Sequence, residues 1–203
     1  MDPITVTEGA ERFTANAYLV VGETTALVDV GTPSWIADAV ARHTDELEAV
    51  YLTHTHHDHV EQLDAIVDRF DPPVFSFGDH PTRTDRLRDG DEVPLGDTTV
   101  TVRHTPGHAE DHVVLFDDAW LFSGDVVVHN DGAFDDGSFG RTDIPGADRD
   151  ALIASIETIL EELPASVSTM YPGHGDVHAG DIHAVIERAL ERASRRTPKY
   201  PDE

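Results

Sequence analysis

The sequence predicts an α/β fold in which two mixed β-sheets are flanked by helices. Short runs of β-branched and apolar residues, separated by Gly, Asp and Pro, are typical of strands, whereas several longer segments carry one apolar stripe at helical spacing. Runs of strands interrupted by such one-sided helices favour sheets covered by helices over an all-β barrel. The length suits one core, so we expect a single domain over residues 1–203, with no separate C-terminal substrate domain.

The first half of the chain is predicted to open with a β-hairpin. Residues 17–21 and 26–30 are apolar or β-branched, and Gly22 lies where the chain would turn between them. The elements expected next are a helix around residues 35–40, a buried strand over 49–52 and a helix over 58–70.

The second half is predicted to contain short strands and then two helices, with one further strand between the helices. The strands are expected at residues 74–77, 98–103, 113–116, 119–122 and 167–171, and the helices at 152–163 and 182–190. Residues 129–147 are rich in Gly and Asp and lack periodicity, which indicates a long functional loop.

The chain is strongly acidic, with 40 acidic and 14 basic residues and a formal net charge of −26. This composition resembles that of proteins from salt-loving microbes, because so many like charges repel one another unless mobile ions screen them. It also disfavours nucleic acid and anionic membranes as partners, since both are bound through basic patches. The basic residues near the C-terminus either attract an acidic substrate or complement a helix end. They are Arg188, Arg192, Arg195, Arg196 and Lys199.

The absence of cysteine restricts the chemistry that the chain can perform. Disulfides, thiolate metal ligands and cysteine nucleophiles are excluded, so any metal ion must be bound by histidines and carboxylates. The N-terminal residues lack the pattern of a signal peptide, and no apolar run approaches about 20 residues, so we expect a cytoplasmic protein.

The strongest chemical signal is a cluster of potential ligands directly after the strand predicted over residues 49–52. His54 and His56 are two positions apart, so in an extended segment their side chains share one side. Asp58 and His59 would lie in the first turn of the next helix. Their side chains would point away from those of His54 and His56, as ligands of a second ion would. Four candidate ligands thus occur within six positions.

Three further candidates each follow a glycine just after a predicted strand: His108, Asp125 and His174. Glycine permits a tight turn with the backbone close to a bound ion. Each histidine taken alone is best explained as a solvated or hydrogen-bonded side chain, but four separate segments with the same turn chemistry indicate metal binding. Imidazole and carboxylate ligands suit Zn, Fe or Mn. His112, at the start of the next strand, either lines the site or caps the turn.

The order His54-x-His56-x-Asp58-His59, then His108, Asp125 and His174, resembles the motif series of the metallo-β-lactamase superfamily, and Asp29 matches its earliest motif. The resemblance implies a four-layer αβ/βα sandwich and two divalent ions, with Zn expected and Fe or Mn possible. It implies that His54, His56 and His108 hold one ion, that Asp58, His59 and His174 hold the other, and that Asp125 bridges them. Asp58 and Asp125 are the candidate catalytic residues, and Asp29 would support a ligand.

The chain departs from the family pattern directly after the Asp-His pair. Where members often have two glycines, this chain has Glu61 and Gln62. Glu61 either supports a ligand imidazole or is an ordinary exposed helix residue.

A second resemblance concerns the reaction. The segment Gly140-Arg141-Thr142-Asp143 is similar to one in short glyoxalase II-like thioesterases, and persulfide dioxygenases carry a similar element. We expect Arg141 and Asp143 to form a structural ion pair near the site. The leading hypothesis is a metal-dependent hydrolase that cleaves a hydroxyacyl-thiol thioester, a small-molecule substrate. The alternatives are an iron-dependent persulfide dioxygenase and a lactonase or another hydrolase of this fold. The sequence gives no information on the oligomeric state.

Overall fold

The computed structural model describes residues 2–196 and confirms the predicted fold class, two mixed β-sheets of six strands each that are flanked by helices. The chain divides into two compact units, Met1–Val102 and Arg103–Glu203. The prediction of one domain over the whole chain stays a prediction. In the described residues, no helix is both long enough and apolar enough to cross a lipid bilayer.

Unit 1, Met1–Val102, contains one complete six-stranded sheet with its strands in chain order. β1 and β2 pair antiparallel with their successors, whereas β3, β4 and β5 pair parallel with theirs. The predicted hairpin is confirmed, because Tyr18 pairs with Val28 across β2 and β3. The six strands are β1 (Ile4–Thr5), β2 (Tyr18–Val20), β3 (Ala26–Val28), β4 (Ala49–Tyr51), β5 (Val74–Ser76) and β6 (Asp85–Arg86).

The helices of unit 1 are α1 (Ile36–Ala41), α2 (His57–Val60) and α3 (Leu63–Phe70). The apolar faces of α1 and α3 pack on this sheet, where Ile36 and Ile66 are fully buried. The prediction of one helix over 58–70 was wrong, because α2 and α3 are separate. The backbone N–H of Gln62 donates to the carbonyl of Gly31 rather than to a helical partner, which interrupts the helix.

Unit 1 ends with a hairpin of the second sheet, β7 (Glu92–Leu95) and β8 (Thr98–His104), and the boundary between the units falls within β8. Gly96 makes the turn with a φ of 63°. A Cβ there would lie 2.7 Å from a methyl carbon of Val20, so only glycine suits this position.

Unit 2, Arg103–Glu203, contributes four neighbouring strands to the second sheet and a separate two-stranded ribbon. β9 pairs antiparallel with β10, β10 pairs parallel with β13, and β13 pairs antiparallel with β14. The ribbon joins β11 to β12, so the predicted loop over 129–147 contains one short strand. The strands are β9 (Val113–Phe116), β10 (Trp120–Gly124), β11 (Val127–Val128), β12 (Ser138–Phe139), β13 (Thr169–Pro172) and β14 (His178–Ala179).

Two long helices, α4 (Arg149–Glu162) and α5 (Ile182–Ser194), cover this part of the sheet. Asp148 caps α4 by accepting hydrogen bonds from the first backbone N–H groups, and Asp181 does the same for α5. The apolar faces of both helices pack with β10, β13 and the ribbon into one core, in which Ile156, Val185 and Phe139 are fully buried. This core fixes the strand ends from which the candidate ligands project.

Candidate metal centre

In unit 1 the candidate ligands follow β4 directly. His54 is almost fully buried, and its Nε2 lies 3.1 Å from Nδ1 of His56. Two atoms bound to one ion at about 2.1 Å in tetrahedral geometry lie about 3.4 Å apart. The spacing of these two imidazole nitrogens therefore fits two ligands of a single ion.

His59 is held by Asp29, the residue that matched the earliest motif. The Asp29 carboxylate accepts from the backbone N–H of Thr53 at 2.9 Å, from the Thr53 hydroxyl at 2.7 Å and from Nδ1 of His59 at 2.8 Å. Because a carboxylate only accepts, His59 carries its proton on Nδ1 and its lone pair on Nε2. Asp29 thus orients the His59 ring for binding a metal ion through Nε2.

Backbone hydrogen bonds place the segment that carries Asp58 and His59. The carbonyl of His59 accepts from the N–H groups of Val30 and Gly31, and that of Asp58 accepts from Ala15. Asp58 itself is half-buried. His57, in the same short helix, is exposed, and its Nε2 lies 3.3 Å from the carboxylate of Glu61. Glu61 therefore contacts an exposed histidine here.

In unit 2 two of the candidate ligands, both histidines, converge on a carboxylate oxygen of the third. Oδ2 of Asp125 lies 3.3 Å from Nε2 of His108 and 3.4 Å from Nε2 of His174. Asp125 and His174 come from adjacent parallel strands, because Gly124 at the end of β10 pairs with Pro172 at the end of β13. Sequence spacing alone could not predict that these side chains lie close together, because their proximity depends on the order of the strands in the sheet.

His108 is oriented by the Gly-Arg-Thr-Asp segment. Its Nδ1 donates to the backbone carbonyl of Arg141 at 2.9 Å, which leaves the lone pair on Nε2. The Arg141 side chain forms a bidentate ion pair with Asp143, at 2.9 and 2.6 Å. Arg141 therefore contacts the candidate ligand through its backbone and contacts Asp143 through its guanidinium.

Two glycines next to these ligands lie in space that a side chain could not share. A Cβ on Gly140 would lie 2.2 Å from the carbonyl oxygen of Asp125 and 2.9 Å from Cβ of His108. A Cβ on Gly107 would lie 2.2 Å from the backbone nitrogen of Leu152 in α4. The requirement for glycine at residue 140 has no local sequence signal, because it arises from contacts with distant residues.

The basic residues near the C-terminus are largely neutralised by carboxylates. Arg188 and Arg192 in α5 pair with Asp136, Arg195 with Glu191, and Arg196 with Asp150. Lys199 lies outside the described residues. Hydrogen bonding from Arg192 holds the pKa of Asp136 below its ordinary value.

The donors of each unit fit a divalent ion. They are imidazoles and carboxylates without thiolates, their rings are held in defined orientations, and neighbouring ligand atoms are 3.1 to 3.4 Å apart. These features define a metal-binding protein with an α/β fold.

Comparison with known proteins identifies the family. Residues 10–83 match the family model described as the metallo-beta-lactamase superfamily. Two solved structures are similar. The first is TTHA1623 in a di-iron-bound form, with a TM-score of 0.70 and 30% identity, and the match covers 93% of this chain and 98% of that chain. The second is ETHE1 from Myxococcus xanthus, with a TM-score of 0.74 and 22% identity, and the match covers 100% of this chain and 94% of that chain. The chain belongs to the metallo-β-lactamase superfamily.

Two curated relatives are longer than this chain. The chain is 32% identical over 185 residues to a Beta-lactamase-like protein 2 homolog from Drosophila melanogaster, covering 80% of this chain and 59% of that protein. It is 34% identical over 105 residues to a hydroxyacylglutathione hydrolase from Salmonella gallinarum, covering 50% of this chain and 41% of that protein. The chain thus spans roughly two to three fifths of these relatives.

Proposed function

We propose that the protein is a metal-dependent thioesterase that hydrolyses a hydroxyacyl-thiol conjugate to a hydroxy acid and a free thiol. Membership of the superfamily and the similarity to a hydroxyacylglutathione hydrolase support this reaction. The observation that carries the proposal is the convergence of His108 and His174 on the carboxylate of Asp125. Oriented imidazoles around one carboxylate suit a hydrolytic metal centre better than a structural cluster.

The proposed ligand set is the one that the family resemblance implies. One ion would be held by His54, His56 and His108, the other by Asp58, His59 and His174, and Asp125 would bridge the two. The donor chemistry suits zinc, and iron or manganese are the alternatives. The di-iron form of TTHA1623 supports a pair of ions.

A pair of divalent ions supplies a water of lowered pKa as the nucleophile and polarises the thioester carbonyl. The protein's own part is orientation and proton transfer. The carboxylate of Asp125 would align the attacking water and accept its proton, and Asp58 is the second candidate catalytic residue. Asp29 and the carbonyl of Arg141 would keep His59 and His108 in the tautomer that binds through Nε2.

The second candidate function is an iron-dependent persulfide dioxygenase. The Gly-Arg-Thr-Asp element at residues 140–143 resembles one in that class as well as one in short thioesterases. In that case one iron on His54, His56, His108 or their near neighbours would be sufficient. A lactonase or another hydrolase of the superfamily is the third candidate.

A metal analysis combined with three assays would decide among these candidates. We expect close to two divalent ions per chain and hydrolysis of a hydroxyacyl thioester, measured in high salt, with slower turnover of lactone and β-lactam substrates. One tightly bound iron, oxygen uptake with a thiol persulfide and no thioester cleavage would overturn the proposal. We further propose that the substrate is a small molecule, that neither nucleic acid nor a membrane is a partner, and that the protein acts in the cytoplasm.

A further inference from the structure

His112 is a fully buried histidine of unit 2 that the ligand set does not include. It directly precedes β9, and its backbone carbonyl accepts a hydrogen bond from Thr105 at 2.8 Å. Its ring lies between two groups: Nδ1 is 2.8 Å from the hydroxyl of Thr105, and Nε2 accepts from the backbone N–H of Asp125 at 3.0 Å. The ring therefore connects a buried threonine to the backbone of the proposed bridging ligand.

These two contacts define the protonation state of the ring. A backbone N–H can only donate, so Nε2 of His112 must carry the lone pair. The proton is then on Nδ1 and is donated to the hydroxyl oxygen of Thr105. Both ring nitrogens are used, so His112 does not act as a metal ligand although its ring centroid is only 6.4 Å from that of His108.

The backbone at Asp125 needs such an acceptor because the regular strand pairing ends there. The register between β10 and β13 shifts between Phe122 and Gly124, and Gly124 has a φ of 48°. Opposite Gly124 stands Pro172, which has no backbone N–H. The last strand contact here is the bond from the N–H of Gly173 to the carbonyl of Gly124. The N–H of Asp125 turns away to His112.

We propose that His112 is a positioning residue that sets the direction of the Asp125 carboxylate through the hydrogen-bonded series Thr105–His112–Asp125. By holding the Asp125 backbone, the ring keeps Oδ2 at its distances from His108 and His174. An apolar ring of similar size would fill the space but leave the buried N–H of Asp125 without an acceptor. The inference rests on the proposed metal binding by Asp125 and is independent of the thioester reaction.

Metal affinity of substituted proteins tests this inference. His112→Phe removes the acceptor, whereas His112→Gln keeps an acceptor near the position of Nε2. The matched control is His104→Phe, since Nε2 of His104 also bonds a backbone group, the carbonyl of Glu110, which is not part of a candidate ligand. Chelator competition measures the dissociation constants for Zn²⁺ and Co²⁺. The visible spectrum of the Co²⁺ form reports the geometry of the ligands. Thermal melting of the metal-free proteins shows whether each variant is folded.

We expect His112→Phe to weaken metal binding by about 10- to 100-fold and to change the Co²⁺ spectrum. His112→Gln should restore most of the affinity, and His104→Phe should match the parent protein. A folded His112→Phe protein with the parent affinity and spectrum would overturn the inference. If the parent protein itself binds neither ion, the proposed metal centre fails and the inference fails with it. If the parent binds metal and folded His112→Phe binds it equally well, the inference alone fails.

If His112→Phe does not fold, a second variant tests the same inference. Thr105→Val removes the acceptor of the Nδ1 proton at nearly constant volume, so the ring no longer prefers the tautomer that accepts from Asp125. We expect weaker metal binding in Thr105→Val and parent-like binding in Thr105→Ser. Parent-like affinity in Thr105→Val would count against the inference.

Discussion

The two units assemble their candidate ligands in different ways. In unit 1 all four lie within six consecutive positions that follow β4, His54 and His56 in the link to α2 and the other two in α2 itself, so local backbone geometry sets their spacing. In unit 2 the three ligands come from three distant turns, and the order of strands brings them together. The comparison shows that the cluster of donors in unit 1 is visible in the sequence, whereas the cluster in unit 2 is created only by the pairing of strands.

The groups that orient the ligands differ in the same way. In unit 1 a side chain, the carboxylate of Asp29, holds His59. In unit 2 the contacts involve backbone groups: the carbonyl of Arg141 accepts from His108, and the N–H of Asp125 donates to His112. Substitutions should therefore affect unit 1 through side-chain chemistry and unit 2 through backbone position.

The largest effect is expected from removing a ligand in either unit. Asp125→Ala and His54→Ala should each lower kcat/KM by more than the roughly 100-fold that losing an outer partner of a ligand costs. His57→Ala, in the same segment as His54 but exposed, is the control and should stay within about threefold of the parent. Thioester hydrolysis and metal content per chain are the measurements. Equal losses in His57→Ala and His54→Ala would contradict the assignment in unit 1.

Gly140→Ala should have the next largest effect and tests the dependence of unit 2 on its backbone. The new methyl would overlap the carbonyl oxygen of Asp125 and press on His108, so we expect a loss of about 1–3 kcal/mol in the free energy of unfolding, together with weaker metal binding. Gly132→Ala, where a Cβ meets nothing within 4 Å, gives an upper limit for a substitution without overlap, because it carries the strain of a φ of 83° that Gly140 does not have, and Gly140→Ala should exceed it. Urea unfolding of the metal-free proteins measures the difference, and equal losses would refute the steric argument.

Asp29→Asn tests the side-chain support in unit 1. The amide group of asparagine cannot accept from all three donors that Asp29 serves, so His59 should lose its fixed orientation. We expect metal affinity to fall by about 10-fold or more. Asp38→Asn, at an exposed carboxylate that pairs with Arg69, is the control. Unchanged affinity in Asp29→Asn, measured by chelator competition, would show that the ring is held by packing alone.

A smaller, pH-dependent effect is expected in unit 2. Burial, and the charges of His129 and Arg188, lower the pKa of His178, whose ring stacks on that of His129 with centroids 3.9 Å apart. The folded state therefore binds the proton less readily than the unfolded state, and stability should fall as pH drops below the ordinary value of 6.5. Between pH 7.5 and 5.5, Tm should decline less steeply in His178→Gln than in the parent. An equal decline would remove His178 as a cause.

Salt should affect both units alike, which makes it the weakest discriminator between them. Acidic residues divide equally between the two units, so screening should relieve repulsion in each. We expect a higher Tm in molar KCl, where the screening length is about 3 Å, than in dilute buffer. Slower hydrogen exchange in both units would support a shared origin, whereas an unchanged Tm would refute the proposal of salt adaptation.

Much of the secondary structure could be predicted from local pattern. The hairpin of β2 and β3, the strand β9 and the helices α4 and α5 follow from apolar periodicity and turn residues. The two-residue strands β1, β6 and β14 could not be predicted, because their pairing partners define them. The break between α2 and α3 was also missed, since the carbonyl of Gly31, distant in sequence, captures the N–H of Gln62.

The sequence by itself determined the class of fold, the superfamily and the kind of donor. Those properties follow from residue type and spacing, which a linear chain displays directly. The tertiary structure alone decided that Asp125 faces both His108 and His174, that Arg141 acts through its backbone, and that His112 holds the Asp125 backbone. The physical reason is that a hydrogen bond depends on which groups the packed sheet and helices bring within about 3 Å of each other.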